Sequence, residues 1–160
     1  MATEPNQSAS PVTPEALWQV CSLLQKHHVK CVLVGARACI LHGMVRSTQD
    51  VDLLVEPSAG NLPRVIDALS ELPDHAAREL TVKDLQDNIV VKVADAVEVD
   101  VAKQTWTVDY TEASCDAKIL TVDGVEIIYD GLDTRIKSKS TYREQDRVDR
   151  ETLLWLKQQK

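Results

Sequence analysis

The stretch VKCVLVGARACILHGMVRSTQDVDLLV, residues 29–55, contains the pattern from which the fold can be predicted. Its first part, residues 29–34, is a short apolar run with several valines that ends at Gly35, which is typical of a buried strand. Residues 36–41 then fit a short helix, and residues 51–55 form a second apolar run. The stretch therefore predicts a strand, a glycine turn, a short helix and a second strand.

The same kinds of pattern predict further elements on both sides of this stretch. A helix is expected to begin at Thr13-Pro14-Glu15, because a hydroxyl residue, a proline and an acid in this order are typical of a helix start. Asp123-Gly124 between two β-branched runs predicts a hairpin. The other predicted elements are a helix near 62–73, strands at 89–93 and 97–101 joined by a tight turn at Asp95-Ala96, and helices near 132–139 and 144–160. This order predicts an α+β (mixed α/β) fold, with residues 1–12 as a flexible tail and residues 13–160 as a single domain.

The composition is that of an ordinary globular protein. Of the 160 residues, 44% are hydrophobic and 27% are charged, and the net charge of −7 argues against a broad basic surface for nucleic acid. No apolar run approaches the roughly 18 residues that span a bilayer, and the first residues lack the features of a secretory signal. The four cysteines show no metal-binding spacing and are expected to be reduced thiols. We therefore expect a cytoplasmic protein without a membrane partner.

Acidic residues interrupt the apolar pattern of two predicted strands. Asp50 and Asp52 lie two positions apart, and so do Glu98 and Asp100, so each pair projects to one face of its strand. Burying neighbouring carboxylates is costly unless a cation lies between them. Three carboxylates from two adjacent strands are a ligand set that Mg²⁺ prefers, and phosphoryl transfer with two metal ions uses such a set. The alternative is that each acidic pair belongs to a solvent-exposed face.

The residues between the first two strands suit the binding of a phosphate. Gly35 lets backbone N–H groups approach a ligand without an intervening Cβ. Further on, Arg46, Ser47 and Thr48 place a cation and two hydroxyls directly before Asp50. An arginine next to an acid can equally be its salt-bridge partner. Arg46 therefore has two interpretations, a phosphate ligand or a partner of Asp50.

These motifs resemble those of the minimal nucleotidyltransferases in the polymerase-β-like superfamily. The superfamily signature is a hydrophobic residue, Gly and then Gly or Ser, followed by two strands with alternating acids. The corresponding segments here are Val34-Gly35-Ala36, Asp50-Val51-Asp52-Leu53 and Val99-Asp100-Val101. The chain is most similar to the AbiEii-like branch, whose members read roughly GxxAxxxHGxxRxTxDhDhhh, where h is hydrophobic. The matching positions are Gly35, Ala38, His42, Gly43, Arg46, Thr48, Asp50 and Asp52, and a terminal R-x-x-D-x-x-D segment matches at Arg143, Asp146 and Asp149.

The resemblance, which covers about residues 29–156, implies a nucleotidyltransferase fold. This is a short mixed β-sheet flanked by helices, with a two-metal Mg²⁺ site and an NTP as substrate. On this basis the metal-binding and catalytic residues are Asp50, Asp52 and Asp100, and the nucleotide-binding residues are Gly35, Ala36, Arg46 and Thr48. Asp100 would orient or deprotonate the acceptor hydroxyl. Ala36 stands where the superfamily has Gly or Ser, so phosphate binding would depend on backbone N–H groups.

Five more residues are expected to support the site, namely His42, Glu98, Lys139, Arg143 and Asp146. His42 could contact a phosphate or fix its loop as a buried residue, and Glu98 competes with Asp100 as the third acid. Arg143 and Asp146 lie three positions apart on a predicted helix, where ordinary ion pairing is the simplest account. Relatives have a lysine about five residues before the terminal arginine. That position is Ser138 here, which leaves Lys137 and Lys139 as alternatives.

The sequence thus predicts an enzyme, a metal-dependent nucleotidyltransferase that moves a nucleoside monophosphate from an NTP to a hydroxyl of a protein, an RNA or a small molecule. The alternative is a catalytically inactive module with the same fold that binds a nucleotide or a protein, and Ala36 is the main argument for it. AbiEii-like relatives often act as toxins in toxin–antitoxin or phage-defence systems. The resemblance therefore also implies a cognate antitoxin as a partner. Independently of it, an exposed Trp155 or Leu154 near the C-terminus would support a homodimer.

Overall fold

A six-stranded mixed β-sheet is the main element of the protein, seen in a computed structural model that describes residues 15–159. The strands, in chain order, are β1 (Cys31–Val34), β2 (Val51–Val55), β3 (Val90–Ala94), β4 (Glu98–Ala102), β5 (Gln104–Thr105), β6 (Val108–Asp109), β7 (Lys118–Val122) and β8 (Val125–Tyr129). The helices are α1 (Glu15–Lys26), α2 (Gly35–Leu41), α3 (Leu62–Leu69), α4 (Val82–Asp87), α5 (Tyr110–Cys115), α6 (Leu132–Ser138) and α7 (Glu144–Gln158), with a 3₁₀ helix at Ala76–Glu79. The predicted α+β architecture, a mixed sheet flanked by helices, is confirmed.

Two predictions about the N-terminus fall on residues outside the described part of the chain. These are the flexible tail at residues 1–12 and the start of the first helix at Thr13-Pro14. Within residues 15–159, none of the helices combines the length and the apolar character needed to cross a bilayer.

The order of strands in the sheet is β3-β4-β2-β1-β8-β7. Three neighbouring pairs are antiparallel: β3 with β4, β2 with β1, and β8 with β7. The β7–β8 hairpin turns at Asp123 (φ 49°) and Gly124 (φ 80°), which are the two positive values that a type I′ turn requires. By contrast, β2 pairs in parallel with β4 and β1 pairs in parallel with β8, so long connections join these strands.

The alternation of side chains along β2 and β4 assigns their residues to two faces of the sheet. Odd-numbered residues such as Leu53 and Val99 belong to the main core, which α1 and α3 complete. Even-numbered residues such as Leu54 and Ala102 belong to a smaller cluster on the other face, together with Val108. Because side chains alternate with a period of two, the acids at positions 52 and 100 share this second face.

Short elements appear where the sequence analysis predicts none. The 3₁₀ helix and α4 lie between residues 74 and 88, and β5, β6 and α5 lie between residues 103 and 117. Helix α4 begins with a capping box, in which the Thr81 hydroxyl accepts from the Asp84 N–H and the Asp84 carboxylate accepts from the Thr81 N–H. These elements have six residues or fewer, which is too short for a clear periodic pattern.

The four cysteines are free thiols, as predicted. Cys21 and Cys39 are buried, Cys31 is half-buried and Cys115 is exposed. Burial raises the pKa of Cys21 to about 12, so its thiol stays protonated and packs as a small apolar group.

Candidate functional site

The central feature of the site is a pair of carboxylates on adjacent strands. In the parallel pairing of β2 with β4, Asp52 lies directly opposite Asp100. Asp52 is half-buried, and burial together with a hydrogen bond to the Asp100 side chain raises the pKa of Asp52 to about 6. The negative charge of Asp50, which precedes β2, acts in the same direction. The pair therefore has a strong tendency to bind a proton or another cation.

A lysine that the sequence analysis does not single out contacts these acids. The Nζ atom of Lys92 lies 3.2 Å from Asp100 Oδ1, 3.5 Å from Asp50 Oδ2 and 3.2 Å from Glu98 Oε1. Lys92 is on β3, where the antiparallel register places it opposite Asp100. Hydrogen bonds to Asp100 and Glu98 raise the pKa of Lys92 above its usual value. An ammonium group thus already serves as the counter-ion of three acids.

The glycine turn after β1 lies against the acidic pair. Gly35 has φ +73°, and a Cβ added to it would lie 2.1 Å from Asp52 Oδ2. The carboxylate of Asp52 thus occupies the space where any other residue at position 35 would have its side chain. Both the left-handed backbone and this close approach require glycine.

A buried arginine joins the turn to α6. Arg135 Nη1 donates to the carbonyl of Gly35 at 3.1 Å, and its Nε lies 3.0 Å from Asp130 Oδ2 in a buried ion pair. Asp130 is fully buried, and this burial raises its pKa to about 7 although Arg135 acts in the opposite direction. No sequence motif identifies Arg135 or Asp130, because the contact between them and the turn depends on how α6 packs.

The C-terminal acids form a cluster that joins three elements. Lys139, which follows α6, has its Nζ 2.9 Å from Asp149 Oδ2 and 3.3 Å from Asp146 Oδ1. Arg143 Nε lies 2.9 Å from Asp146 Oδ2, and Arg46 Nη1 donates to Asp149 Oδ2 at 2.8 Å. Both aspartates are 2% exposed. The i,i+3 pair within α7 is present, but the cluster also connects α7 to α6 and to the loop before β2.

This cluster answers two questions that the sequence analysis leaves open. Lys139 reaches the terminal acids, whereas Lys137 pairs with Glu112. Arg46 pairs with Asp149, so the interpretation of Arg46 as the salt-bridge partner of Asp50 is wrong.

A pocket of about 530 Å³ opens beside the acidic pair. Its lining combines acidic, cationic and aromatic side chains with the backbone of a turn. The acids are Asp52, Asp100 and Asp146, the cations are Arg135, Lys139 and Arg143, the aromatic residues are Trp106 and Tyr142, and the backbone of the turn is at Gly35 and Ala36.

The sequence analysis assigns twelve residues to the catalytic, nucleotide-binding or supporting groups of the site. Seven of them line this pocket and five do not. Those outside its lining are Arg46, Thr48, Asp50, His42 and Glu98. Asp100 and not Glu98 therefore accompanies Asp52 in the pocket. His42 is buried, with its Nε2 2.6 Å from the carbonyl oxygen of Asp130 and its ring packed edge-on against Tyr129. This is the arrangement expected of a residue that fixes its loop.

The donor set of the site suits Mg²⁺ in its chemistry. Within residues 15–159, no three His, Cys, Asp or Glu side chains are placed closely enough to form a complete metal site. Carboxylate oxygens are nevertheless the ligands that Mg²⁺ prefers. The counter-ion that the structure shows beside Asp50 and Asp100 is the ammonium group of Lys92. Asp52 and Asp100 therefore match Mg²⁺ in the type of donor atom that they offer.

Comparison with known protein families and with curated proteins identifies no relative of this chain. The chain matches no model of a known protein family, and a search of curated proteins also finds no match. What the protein does must therefore be inferred from the chemistry of its pocket.

Proposed function

We propose that the protein is a Mg²⁺-dependent nucleotidyltransferase, which transfers a nucleoside monophosphate from an NTP to a hydroxyl group on a protein, an RNA or a small molecule. The main support is the placement of Asp52 opposite Asp100 in a pocket that also contains Arg135, Lys139 and Arg143. Acids that attract a metal beside cations that attract phosphates are what a metal-bound triphosphate requires.

The proposed roles follow from these positions. Asp50, Asp52 and Asp100 would hold Mg²⁺ through their carboxylate oxygens, and Lys92 balances their charge in the free protein. Bound Mg²⁺ would supply positive charge that stabilises the transferred phosphoryl group and the leaving pyrophosphate. The turn at Gly35 and Ala36 would offer backbone N–H groups to the triphosphate, and Arg143 would add a charge at the pocket.

Asp100 is the residue that would act on the acceptor. It lines the pocket, and 20% of its side chain is accessible to solvent. A carboxylate in this position can accept a hydrogen bond from an incoming hydroxyl, orient it and take its proton. Positioning and charge neutralisation supply most of the rate in this kind of chemistry, so few other groups are needed.

A binding test distinguishes this proposal from a structural role of the acids. A non-hydrolysable NTP is titrated calorimetrically at pH 8, with and without Mg²⁺, against the wild type, Asp52→Asn and Asp87→Asn. Asp87 is an exposed acid on α4 that pairs with Lys83 and serves as the matched control. We expect Mg²⁺-dependent binding in the wild type and in the control, and a loss of about tenfold or more in Asp52→Asn because a metal ligand is removed. Unchanged Mg²⁺-dependent binding in Asp52→Asn would contradict the proposal.

A second candidate function is that of a module that binds a nucleotide or a protein without catalysis. The specific observation in its favour is Lys92, which already serves as a counter-ion of the acids, and Ala36 adds to it because it lacks a hydroxyl for a phosphate oxygen. Pyrophosphate release separates the two functions. Binding of Mg²⁺–ATP without any pyrophosphate release, across protein, RNA and small hydroxyl acceptors, would favour the inactive module.

A further inference from the structure

The tip of the small β5–β6 hairpin presents an unusual residue to solvent. Trp106 has φ +56°, a left-handed conformation that is rare for a bulky side chain, and 46% of its surface is exposed. Both features are unfavourable for the fold alone, since the backbone is strained and a large apolar ring remains in water. The positive φ belongs to the two-residue turn between the paired residues Thr105 and Val108. The exposed ring is the feature expected where a side chain is kept for a ligand.

The hairpin is anchored by residues other than Trp106. Val108 is fully buried in the smaller cluster on the second face of the sheet, beside Val34 and Ala102. The Gln104 side chain donates to the carbonyl of Trp106. The indole ring of Trp106 therefore does not contribute to the core. The backbone of Trp106 is held by the hydrogen bond from Gln104.

Trp106 lines the same pocket as the acidic pair. The hairpin follows β4 directly, so a short, connected segment of chain links the indole to Asp100. A second aromatic residue, Tyr142, lines the pocket from the loop between α6 and α7. The protein has only three Trp, three Tyr and no Phe, so two of its few aromatic rings are at this pocket.

We propose that Trp106 is the platform on which the aromatic base of the nucleoside triphosphate stacks. This inference rests on the proposed function, and it names the residue that would bind the base of the substrate. The acids attract the metal and the cations attract the phosphates, while an exposed indole in the same pocket offers the π-face that a nucleobase prefers. Every base has such a face, so Trp106 contributes affinity for nucleotides in general and not selection of one base.

The test compares a ligand that has a base with one that lacks it. The affinities of ATP and of inorganic tripolyphosphate, each with Mg²⁺, are measured for the wild type, Trp106→Ala, Trp106→Phe and Trp155→Ala. Trp155 is the matched control because it is 58% exposed on α7 and does not line the pocket. Thermal unfolding of each variant establishes that it is folded.

We expect Trp106→Ala to weaken ATP binding by about 5- to 100-fold, the range that loss of one base–aromatic stack produces. Tripolyphosphate binding should stay the same, Trp106→Phe should restore most of the ATP affinity, and Trp155→Ala should match the wild type. In addition, ATP should quench the emission of Trp106, so that the quenching disappears in Trp106→Phe and persists in Trp155→Ala.

Each contrary outcome has a distinct meaning. If Trp106→Ala weakens ATP and tripolyphosphate equally, or weakens neither, the stacking role is overturned while the proposed function stands. If neither ligand binds to the wild type, the proposed function is overturned and the stacking role with it.

Discussion

At the scale of single residues, Gly35 is the position with the least room for change. Replacement by Ala adds a Cβ 2.1 Å from the Asp52 carboxylate and places it on a left-handed backbone. We expect Gly35→Ala to lower the free energy of unfolding by about 2–4 kcal/mol, the sum of backbone strain and displacement of Asp52. Urea unfolding at pH 7 measures this change.

Gly124 provides the control for this substitution. It also has a positive φ, +80°, but an added Cβ would meet nothing within 4 Å. Gly124→Ala therefore reports the backbone strain alone, about 1–2 kcal/mol. Equal losses in the two variants would mean that Asp52 moves aside without cost and that the close approach is not a constraint on the site.

The residues that could be predicted from the sequence are those whose chemistry is local. Gly35 ends an apolar run, and Asp52 and Asp100 interrupt others, so each is visible in its own segment. Lys92 was not visible because its contacts depend on register. The predicted strands 89–93 and 97–101 each lie one residue early, and no pattern along them gives the register that places Lys92 opposite Asp100. Arg135 and Asp130 were missed for a related reason, since tertiary packing alone brings them to the turn.

At the scale of elements, α7 is attached to the rest of the molecule by buried charges. Asp149 forms ion pairs with Lys139, which follows α6, and with Arg46 in the loop before β2. Asp149→Ala leaves Arg46 without its acid and Lys139 with Asp146 alone, and we expect a loss of about 2–4 kcal/mol in the free energy of unfolding. Thermal and urea unfolding measure it.

Glu151→Ala is the matched control on the same helix. Glu151 pairs with Arg147 on the exposed side of α7, so its removal should change the stability very little. A similar small effect for Asp149→Ala would contradict the view that the buried cluster fixes α7 to α6 and to the loop before β2.

Long periodic elements and the Asp123-Gly124 hairpin were predictable because hydrophobic spacing and turn chemistry act locally. The short elements were not, although one of them has a recognisable signal. Thr81 and Asp84 stand at capping-box spacing, and Asp109 caps α5 by accepting from the Glu112 N–H. Such pairs are common in loops as well, so they indicate a short helix only when its apolar face is also known.

At the scale of the whole molecule, the buried carboxyl of Asp130 makes stability depend on pH. Its pKa rises from the usual 3.8 to about 7 in the folded protein, mainly through burial. Between about pH 4 and pH 7 the folded protein keeps a proton that the unfolded chain has released, so this contribution to stability falls as the pH rises. Arg135 and Asp116 are the charged groups that modulate it, in opposite directions.

Asp130→Asn tests this dependence, because an amide imitates the protonated carboxyl at every pH. We expect the stability of Asp130→Asn relative to the wild type to increase from pH 4 to pH 7, as followed by urea unfolding at a series of pH values. Asp133→Asn, at an exposed acid on α6, should retain the slope of the wild type. A constant difference between Asp130→Asn and the wild type across this range would show that Asp130 is ionised in the folded protein throughout.

The position of Lys92 also bears on the order in which the sheet can assemble. Lys92 and Asp100 are cross-strand partners within one local hairpin, whereas Asp52 comes from a strand far away in sequence. Hairpins close within about 1–10 μs, and long-range parallel pairing is slower. The hairpin can therefore form with its lysine already beside Asp100. When β2 pairs with β4, Asp52 meets an ion pair in place of a free negative charge, so the ammonium group of Lys92 weakens the repulsion between the two acids.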